Sequence, residues 1–326
     1  MTRSMLVLSV AFASYAVLST VGSLVAVALW RRGGFASITP AALRARRLVM
    51  LRALPVVAAM TVTATVVMPA FMLFEPDHAV EAVGAALMAL AALGAALLLS
   101  GAVNAALSAL ATWRVERAWL RSAQRLDFEP PAGVPAYAVD SFAPVVALVG
   151  VFAPKLIAAR EVIDACNSHE LSNIVAHERG HLHARDNLKR WLMACAPDAL
   201  RWTPAHDAMV LAWDDAAEDA ADDAATAGKD VARLDLAALL VKVARLSPAS
   251  GCLTAATVSP FIERARLDRR VRRLLSSQPS PGPSRAALLL PLLSLSLGAS
   301  MLALLSNPSA LQTIYEVVEA VVAFGR

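Results

Sequence analysis

Charged residues and cysteines are scarce in this chain of 326 residues. Charged residues make up 17% of the sequence and hydrophobic residues 58%, and the mean hydropathy is +0.57. A typical soluble domain has about 25% charged residues, so this composition excludes an ordinary soluble protein. The three cysteines, Cys166, Cys195 and Cys252, form no Cys-x-x-Cys pair. This spacing indicates free thiols in a reducing compartment rather than disulfides or a cysteine zinc site.

Four apolar segments stand out in the sequence because they have no charged residues. No charged residue lies between Met5 and Trp30, and each segment is long enough to cross the roughly 30 Å hydrocarbon layer of a bilayer. The first segment could instead be a cleaved signal peptide. It is longer than a usual signal core and Arg31 and Arg32 follow it directly, so we expect a permanent anchor. The predicted membrane helices are about 5–30, 53–74 and 83–110 within residues 1–112, and a fourth within 285–306.

The distribution of arginine predicts the orientation of these helices. Arginines are frequent between the first and second segments and after the third, whereas Glu75, Asp77 and Glu81 lie between the second and third without any Lys or Arg. Positively charged loops stay on the cytoplasmic side. We therefore predict a multi-pass protein of the inner (plasma) membrane with a cytoplasmic domain at 113–284 and a short extracytoplasmic tail at 307–326. Strands predicted at 136–139 and 145–151 make that domain α+β in a mostly α protein.

The net charge of +4 does not indicate nucleic-acid binding. The densest basic cluster comes shortly before the fourth predicted span and consists of Arg264, Arg266, Arg269, Arg270, Arg272 and Arg273. We expect these arginines to contact anionic lipid headgroups and to fix the topology. Binding of a substrate by the same arginines is the alternative.

One motif predicts chemistry: His177-Glu178-Arg-Gly-His181. Its histidines are four residues apart, so on a helix both imidazoles can reach one zinc ion. Glu178 lies on the same helix and could accept a proton from a water molecule at the metal. The helix should begin near Asn167 or Ser168, either of which can act as the cap. The alternative is a pair of core histidines that bind no metal.

A zinc hydrolase needs a third protein ligand, and residues 213–223 are the best source. Helical spacing groups the acidic residues into two stripes, namely Asp214, Glu218 and Asp222, and Asp215, Asp219 and Asp223. Glu218 has the longest reach, and Asp222 could orient a ligating histidine. An acidic helix is also commonly just a solvated surface, and spacing alone leaves the choice of stripe open.

Several segments resemble the bacterial beta-lactam-sensor membrane peptidases, which inactivate a repressor. Residues 177–187 are similar to the His-Glu-x-x-His-x-x-x-Arg-Asp-Asn segment of that family, and residues 145–157 to its Gly-x-x-x-Pro strand. Residues 218–222 resemble its Glu-x-x-x-Asp motif, and residues 269–275 its closing basic segment. The four-span layout is also similar. The resemblance implies a zincin-like domain between the third and fourth spans, with zinc held by His177, His181 and Glu218 and supported by Asp222.

The chain differs from those sensors in one respect. The sensors carry a large extracellular penicillin-binding domain after the fourth span, whereas this sequence ends at Arg326. We therefore do not expect direct beta-lactam sensing. A signal would come from a sensor partner, the membrane or the short outside segments.

Three functions remain open. The first is a zinc metalloendopeptidase of the gluzincin type that cleaves a cytoplasmic or membrane-associated regulatory protein, such as a repressor, or itself. The second is a quality-control or CAAX-type membrane peptidase, and the third is a non-catalytic scaffold stabilised by zinc. The Arg-Asp-Asn ending and the strand through Gly150 and Pro154 favour the first.

Four smaller predictions concern the surroundings of the motif. The strand at 145–151 could hold a peptide substrate by edge pairing. His206 is a candidate donor to the oxyanion, and His183 should lie on the surface. Arg185 and Asp186 should form a local structural pair.

Overall fold

The computed structural model describes residues 3–32, 40–76, 84–126, 133–140, 146–246, 258–260, 264–276 and 307–324. In this part of the chain the protein is mostly helical, with one small five-stranded sheet. The predicted fourth membrane helix at 285–306 and Cys252 lie outside the described residues. Cys166 and Cys195 are free thiols, as predicted.

Among the residues that the structure describes, three helices are long and apolar enough to cross a membrane. The first is α1 (Arg3–Arg32), and the third is α4 (Ala85–Leu120). The second is continuous through α2 (Ala41–Val62), a π-helical segment (Thr63–Val67) and α3 (Met68–Phe74). These elements correspond to the first three predicted spans.

Two of these helices extend beyond their predicted ends because their arginine-bearing turns pack on the second half of the chain. The early turns of α2 place Leu48 in a buried cluster with Trp213. The last turns of α4 place Trp119 against buried residues of the sheet. Hydropathy locates only the apolar part of such a helix, and arginine is a good helix former that allows it to continue.

The sheet has the order β1-β2-β4-β3-β5. Its strands are β1 (Gln124–Arg125), β2 (Ala136–Val139), β3 (Val146–Val149), β4 (Lys155–Ala159) and β5 (Val258–Pro260). Strand β3 is antiparallel to β4 and to β5, and β2 is parallel to β4. Gly150, at φ 103°, makes the turn after β3, and Pro154 precedes β4. Strands are therefore present at both predicted positions.

The remaining helices cover the sheet and join it to the membrane-type helices. They are α5 (Arg160–Ala165), α6 (Ser168–Ala184), α7 (Asp186–Cys195), a 3₁₀ turn (Ala199–Trp202), α8 (Pro204–Thr226), α9 (Asp230–Leu246), α10 (Arg264–Leu275) and α11 (Pro308–Phe324). Leucines and valines of α9, including Leu236, Leu240 and Val243, form the main core with β2, β3 and β4. Helix α11 packs on α3, where the ring of Tyr315 contacts Phe71.

The connection between α7 and α8 lies among the membrane-type helices. The Tyr15 hydroxyl of α1 donates a hydrogen bond of 2.5 Å to the carbonyl oxygen of Pro197. At Gly101 of α4 an added Cβ would lie 2.7 Å from the Pro197 Cβ, so only glycine allows this contact. Asp198 is paired with Arg52 of α2 and accepts a hydrogen bond of 3.2 Å from Ser23 of α1. Residues 196–203 therefore fix the two halves of the molecule to each other.

Candidate metal centre

Helix α6 presents the His-Glu-x-x-His motif and has a capping box at its start. The Asn167 side chain accepts a hydrogen bond from the Glu170 N–H (2.9 Å), and the Glu170 carboxylate accepts one from the Asn167 N–H (2.8 Å). The prediction of a cap at Asn167 or Ser168 is thus confirmed, with Asn167 as the cap. The helix ends at Arg185, whose φ of 55° redirects the chain into α7.

The structure brings His177, His181 and Glu218 together. The two Nε2 atoms are 3.1 Å apart, and they lie 3.5 and 3.4 Å from the two carboxylate oxygens of Glu218. One ligand atom from each residue lies within 4.8 Å of the others, and all three residues are buried. Two imidazoles and one carboxylate match the protein ligands of a catalytic zinc site.

Close packing of α6 on α8 allows Glu218 to reach the histidines. Gly180, in the middle of the motif, faces Ala221, and an added Cβ would lie 3.0 Å from the Ala221 Cα. A larger residue at position 180 would push the two helices apart. Beside the cluster, both carboxylate oxygens of Glu178 are fully buried without a hydrogen-bond partner in the described structure. Buried polar atoms normally have partners, so the residues present fit a site that receives a metal ion and water.

Each histidine is oriented by a carboxylate on its other ring nitrogen. The Nδ1 of His177 lies 3.0 Å from Asp222 Oδ1, and the Nδ1 of His181 lies 2.9 Å from Asp186 Oδ2. This arrangement leaves both Nε2 atoms for a metal. Asp222 is therefore where the sequence predicted it, whereas the contribution of Asp186 was missed.

The predicted pairing of Arg185 with Asp186 is wrong. Within residues 146–246, Asp186 bonds to His181 and to the Lys189 ammonium (3.0 Å), while Arg185 supplies the left-handed turn. The next residue, Asn187, donates hydrogen bonds of 3.0 Å to the carbonyl oxygens of Leu148 and Gly150. The Arg-Asp-Asn ending therefore has three structural tasks: it turns the chain, orients His181 and ties α7 to β3. The position of Asp186, five residues after His181, was the available signal.

Arg270 is a second residue that the sequence did not place at the site. Its guanidinium group forms two hydrogen bonds with Asp222 (2.6 and 3.1 Å) and lies 3.0 Å from Glu218. It is only 2% exposed. The expectation that Arg270 contacts lipid headgroups is therefore wrong, because the carboxylates of α8 bind it instead.

The neighbours of Arg270 use the other acidic stripe of α8. Arg269 pairs with Asp219 (2.7 Å), and Arg273 pairs with Asp223 (2.6 Å). Both stripes are thus occupied. Glu218 and Asp222 of the first stripe face the histidines and Arg270, and Asp219 and Asp223 of the second stripe face Arg269 and Arg273.

Burial and ion pairing shift the acidities of the site. Complete burial raises the pKa of Glu178 to about 7, which is a suitable value for a group that accepts a proton near neutral pH. Burial opposes the ionisation of Asp222, but Arg270 and His177 hold its pKa at about 2. Burial likewise opposes ionisation of Glu218, and Arg270 and His181 keep its pKa well below the usual range. Glu218 and Asp222 are therefore charged when Glu178 titrates.

Two of the smaller predictions have clear outcomes. His183 is exposed, and its ring bonds to the Arg179 carbonyl oxygen, as expected of a surface residue. His206 is not at the histidine cluster. Its Nδ1 accepts a hydrogen bond of 3.2 Å from Arg52 at the α7–α8 connection, so the role proposed for it at the oxyanion is wrong.

The predicted substrate edge of β3 is already paired. Residues 146–149 bond to β4 on one side and to β5 on the other. Edge pairing of a substrate at β3 would first require displacement of Val258–Pro260.

The model of one protein family, described as Peptidase family M48, matches residues 109–257. The matched segment contains all five predicted site residues, which are His177, Glu178, His181, Glu218 and Asp222. No curated protein and no solved structure matches the chain. The match supports a metal-dependent peptidase, in agreement with the cluster of His177, His181 and Glu218.

Proposed function

We propose that this protein is a zinc metalloendopeptidase of the gluzincin type, anchored in the membrane by four helices. The observation that carries the proposal is the convergence of His177, His181 and Glu218 beside the buried, unpartnered carboxylate of Glu178. The family match over residues 109–257 supports the peptidase assignment. A zinc-stabilised scaffold would not need a buried carboxylate without hydrogen-bond partners, because such a group destabilises the fold.

The residues have distinct tasks in this mechanism. His177, His181 and Glu218 would hold the metal, which supplies Lewis acidity for the peptide carbonyl and for an attacking water molecule. Glu178 accepts the proton of the water as it attacks the carbonyl carbon, and then donates that proton to the departing amine. Asp222 and Asp186 keep the histidine rings in position. Arg270 offsets the negative charge of Glu218 and Asp222.

We further propose that the chain is a multi-pass protein of the inner membrane, with its peptidase domain at residues 113–284 facing the cytoplasm and the α7–α8 connection of that domain inserted among the membrane helices. The three long apolar helices and the arginines at the ends of α1 and α2 support this arrangement. The fourth helix at 285–306 and an outside tail at 307–326 complete it. The substrate would then be a cytoplasmic or membrane-associated protein.

The proposed substrate is a regulatory protein such as a transcriptional repressor, or the peptidase itself. This choice rests on the resemblance of the Arg-Asp-Asn ending to the sensor peptidases; in the structure, Asp186 and Asn187 of that ending bond to His181 and to β3. The match to family M48 is equally compatible with a quality-control or CAAX-type peptidase. The identity of the cleaved protein distinguishes these two functions.

The test compares three purified full-length proteins: the wild type, Glu178→Gln and the exposed control Glu161→Gln. We expect all three to retain one zinc ion per chain by elemental analysis. In cells that express each of the three proteins, cleavage of cellular proteins should fall about 100- to 10,000-fold with Glu178→Gln alone, because that variant lacks the proton acceptor. Fragments that disappear with Glu178→Gln identify the substrate. Equal cleavage by all three proteins, or a wild type without stoichiometric metal, would refute the proposed peptidase.

A further inference from the structure

A cavity of about 660 Å³ lies where the membrane-type helices meet α8 and α10. Trp30 at the end of α1 and Arg44 and Leu48 near the start of α2 form one wall. The acidic stripe of α8 and the arginines of α10 form the other. This cavity is on the side of α8 that faces away from the histidines, so it is separate from the candidate metal centre.

The cavity lies at the level where a bilayer would end. The surface of α1 is apolar up to Leu29, which is 54% exposed, and Trp30, Arg31 and Arg32 follow at once. On α2 the exposed large apolar side chains begin only at Leu54. Tryptophan and arginine at the end of an apolar helix mark the headgroup layer of a membrane. The cavity therefore opens at the headgroups of the leaflet on the peptidase side.

Positive charge exceeds negative charge in the lining. Four guanidinium groups, those of Arg44, Arg269, Arg272 and Arg273, line the cavity together with the two carboxylates of Asp215 and Asp219. Asp219 already binds three of these arginines.

Two of the arginines keep exposed side-chain surface beside the cavity. Arg269 lines the cavity with a side chain that is 36% exposed, and its buried Nε has no hydrogen-bond partner among the described residues. The side chain of Arg272 is 80% exposed and pairs with the similarly exposed Asp268, which does not line the cavity. Planar guanidinium groups with unused N–H donors are suited to phosphate oxygens.

We propose that this cavity binds the phosphate-bearing headgroup of an anionic phospholipid. The phosphate would accept hydrogen bonds from the arginines, and Trp30 and Leu48 would contact the glycerol and the first methylenes of the acyl chains. Bound lipid would add a further link between α10 and α2, which already meet through Asp219. The proposal requires that α1 and α2 cross the bilayer, and it does not depend on peptidase activity.

The experiment measures lipid binding to the full-length protein by native mass spectrometry from detergent, with added phosphatidylglycerol or phosphatidylcholine. The cavity variants are Arg44→Gln and Arg272→Gln, and the control is Arg117→Gln, an exposed arginine that lies over Trp113 of α4 outside the cavity. We expect the wild type to retain phosphatidylglycerol in preference to phosphatidylcholine. Each cavity variant should weaken that binding about fivefold, the usual contribution of one basic residue at an anionic membrane, and the control should bind like the wild type.

Two further measurements separate the alternatives. Asp268→Asn removes the partner of Arg272 but keeps the cation, so it should bind phosphatidylglycerol at least as well as the wild type. Inorganic phosphate should compete with the lipid, because both present the same oxygens. If phosphate binds but phosphatidylglycerol is not preferred over phosphatidylcholine, the ligand is soluble and the lipid proposal is wrong. If Arg44→Gln fails to fold, Arg272→Gln alone tests the proposal. If Arg272→Gln binds phosphatidylglycerol as well as the control Arg117→Gln does, the proposal is also wrong.

Discussion

Among the described residues, two buried arginine–aspartate pairs join distant parts of the chain, and they differ in the net charge of their surroundings. Arg52 and Asp198 join α2 to the α7–α8 connection, and each is 1% exposed. Arg270 and Asp222 join α10 to α8 beside the histidines, and both are equally buried from solvent. In each pair the guanidinium group binds both carboxylate oxygens. The first pair is balanced by itself, whereas Arg270 faces the two carboxylates of Asp222 and Glu218.

This difference indicates what each pair does. Burial of an ion pair costs desolvation energy, so neither pair is a simple source of stability. The Arg52–Asp198 pair has no net charge, as expected of a contact that only connects two parts of the structure. The pair at the histidines leaves an excess of negative charge, which a divalent cation would neutralise. We therefore expect the stability of the Arg52–Asp198 pair to be independent of metal. The region around Arg270 and Asp222 should become more stable when a metal binds.

The largest effect is expected for Asp222→Ala. This change leaves Arg270 buried without its main partner, which costs about 3–5 kcal/mol of unfolding free energy. It also removes the carboxylate that orients His177, which should weaken metal binding about 10- to 100-fold. Chemical unfolding in detergent and a competitive zinc titration measure the two effects. Asp223→Ala, at the neighbouring exposed position, is the control and should change neither quantity by a comparable amount.

Asp198→Ala should destabilise the fold about as much, by about 3–5 kcal/mol, because it leaves Arg52 buried and unpaired. Metal affinity should remain that of the wild type, since Asp198 touches no candidate ligand. Combining it with Arg52→Met should recover part of the lost stability. A loss of zinc affinity in the folded Asp198→Ala protein would show that the Arg52–Asp198 pair is coupled to the candidate metal centre. That result would contradict the separate roles assigned to the two pairs.

Removal of the metal should have a smaller effect, and one that discriminates between the two pairs. At a zinc concentration 100 times the dissociation constant, binding stabilises a protein by about 2.7 kcal/mol. We expect chelation to remove this amount from the wild type and from Asp198→Ala, and much less from Asp222→Ala. Melting temperatures with and without chelator provide the measurement. Equal losses in all three proteins would contradict the assignment of the metal to this site.

The smallest effect is expected at an exposed pair. Arg160 and Asp140 form a salt bridge on the surface, with side chains that are 38% and 67% exposed. Asp140→Asn should change the unfolding free energy by at most about 1 kcal/mol, because exposed pairs are screened by water and salt. A larger loss in chemical unfolding would show that burial is not what distinguishes the two internal pairs.

Local spacing predicted the parts of the site that lie within single helices. The shared face of His177 and His181 and the spacing of Asp222 one turn after Glu218 follow from helical periodicity. The cap at Asn167 or Ser168 was predicted from residue type, and the choice of the stripe with Glu218 and Asp222 came from the family resemblance. Such patterns act over three or four residues, and one turn of helix fixes their geometry. The boundaries of α2 and α4 were less accurate, because the packing that extends them comes from distant residues.

The partners of the buried arginines could not be predicted in this way. Arg270 lies 48 positions after Asp222, and Asp198 lies 146 positions after Arg52, so no local period relates the members of either pair. The position of Arg270 within the basic cluster of α10 was misinterpreted for the same reason. A charged residue gives the same sequence signal whether it faces lipid headgroups, water or an oppositely charged helix. Only the three-dimensional structure shows that α8 provides the opposite charge.

The insertion of residues 196–203 among α1, α2 and α4 has a practical consequence for biochemists. A fragment trimmed to the second half of the chain would carry Asp198 without its cationic partner and Trp213 without the neighbouring apolar residues of α2. Those surfaces would then be exposed to water, and the fragment would tend to aggregate. Biochemical work on the metal centre is therefore best designed around the whole chain, with α1, α2 and α4 present.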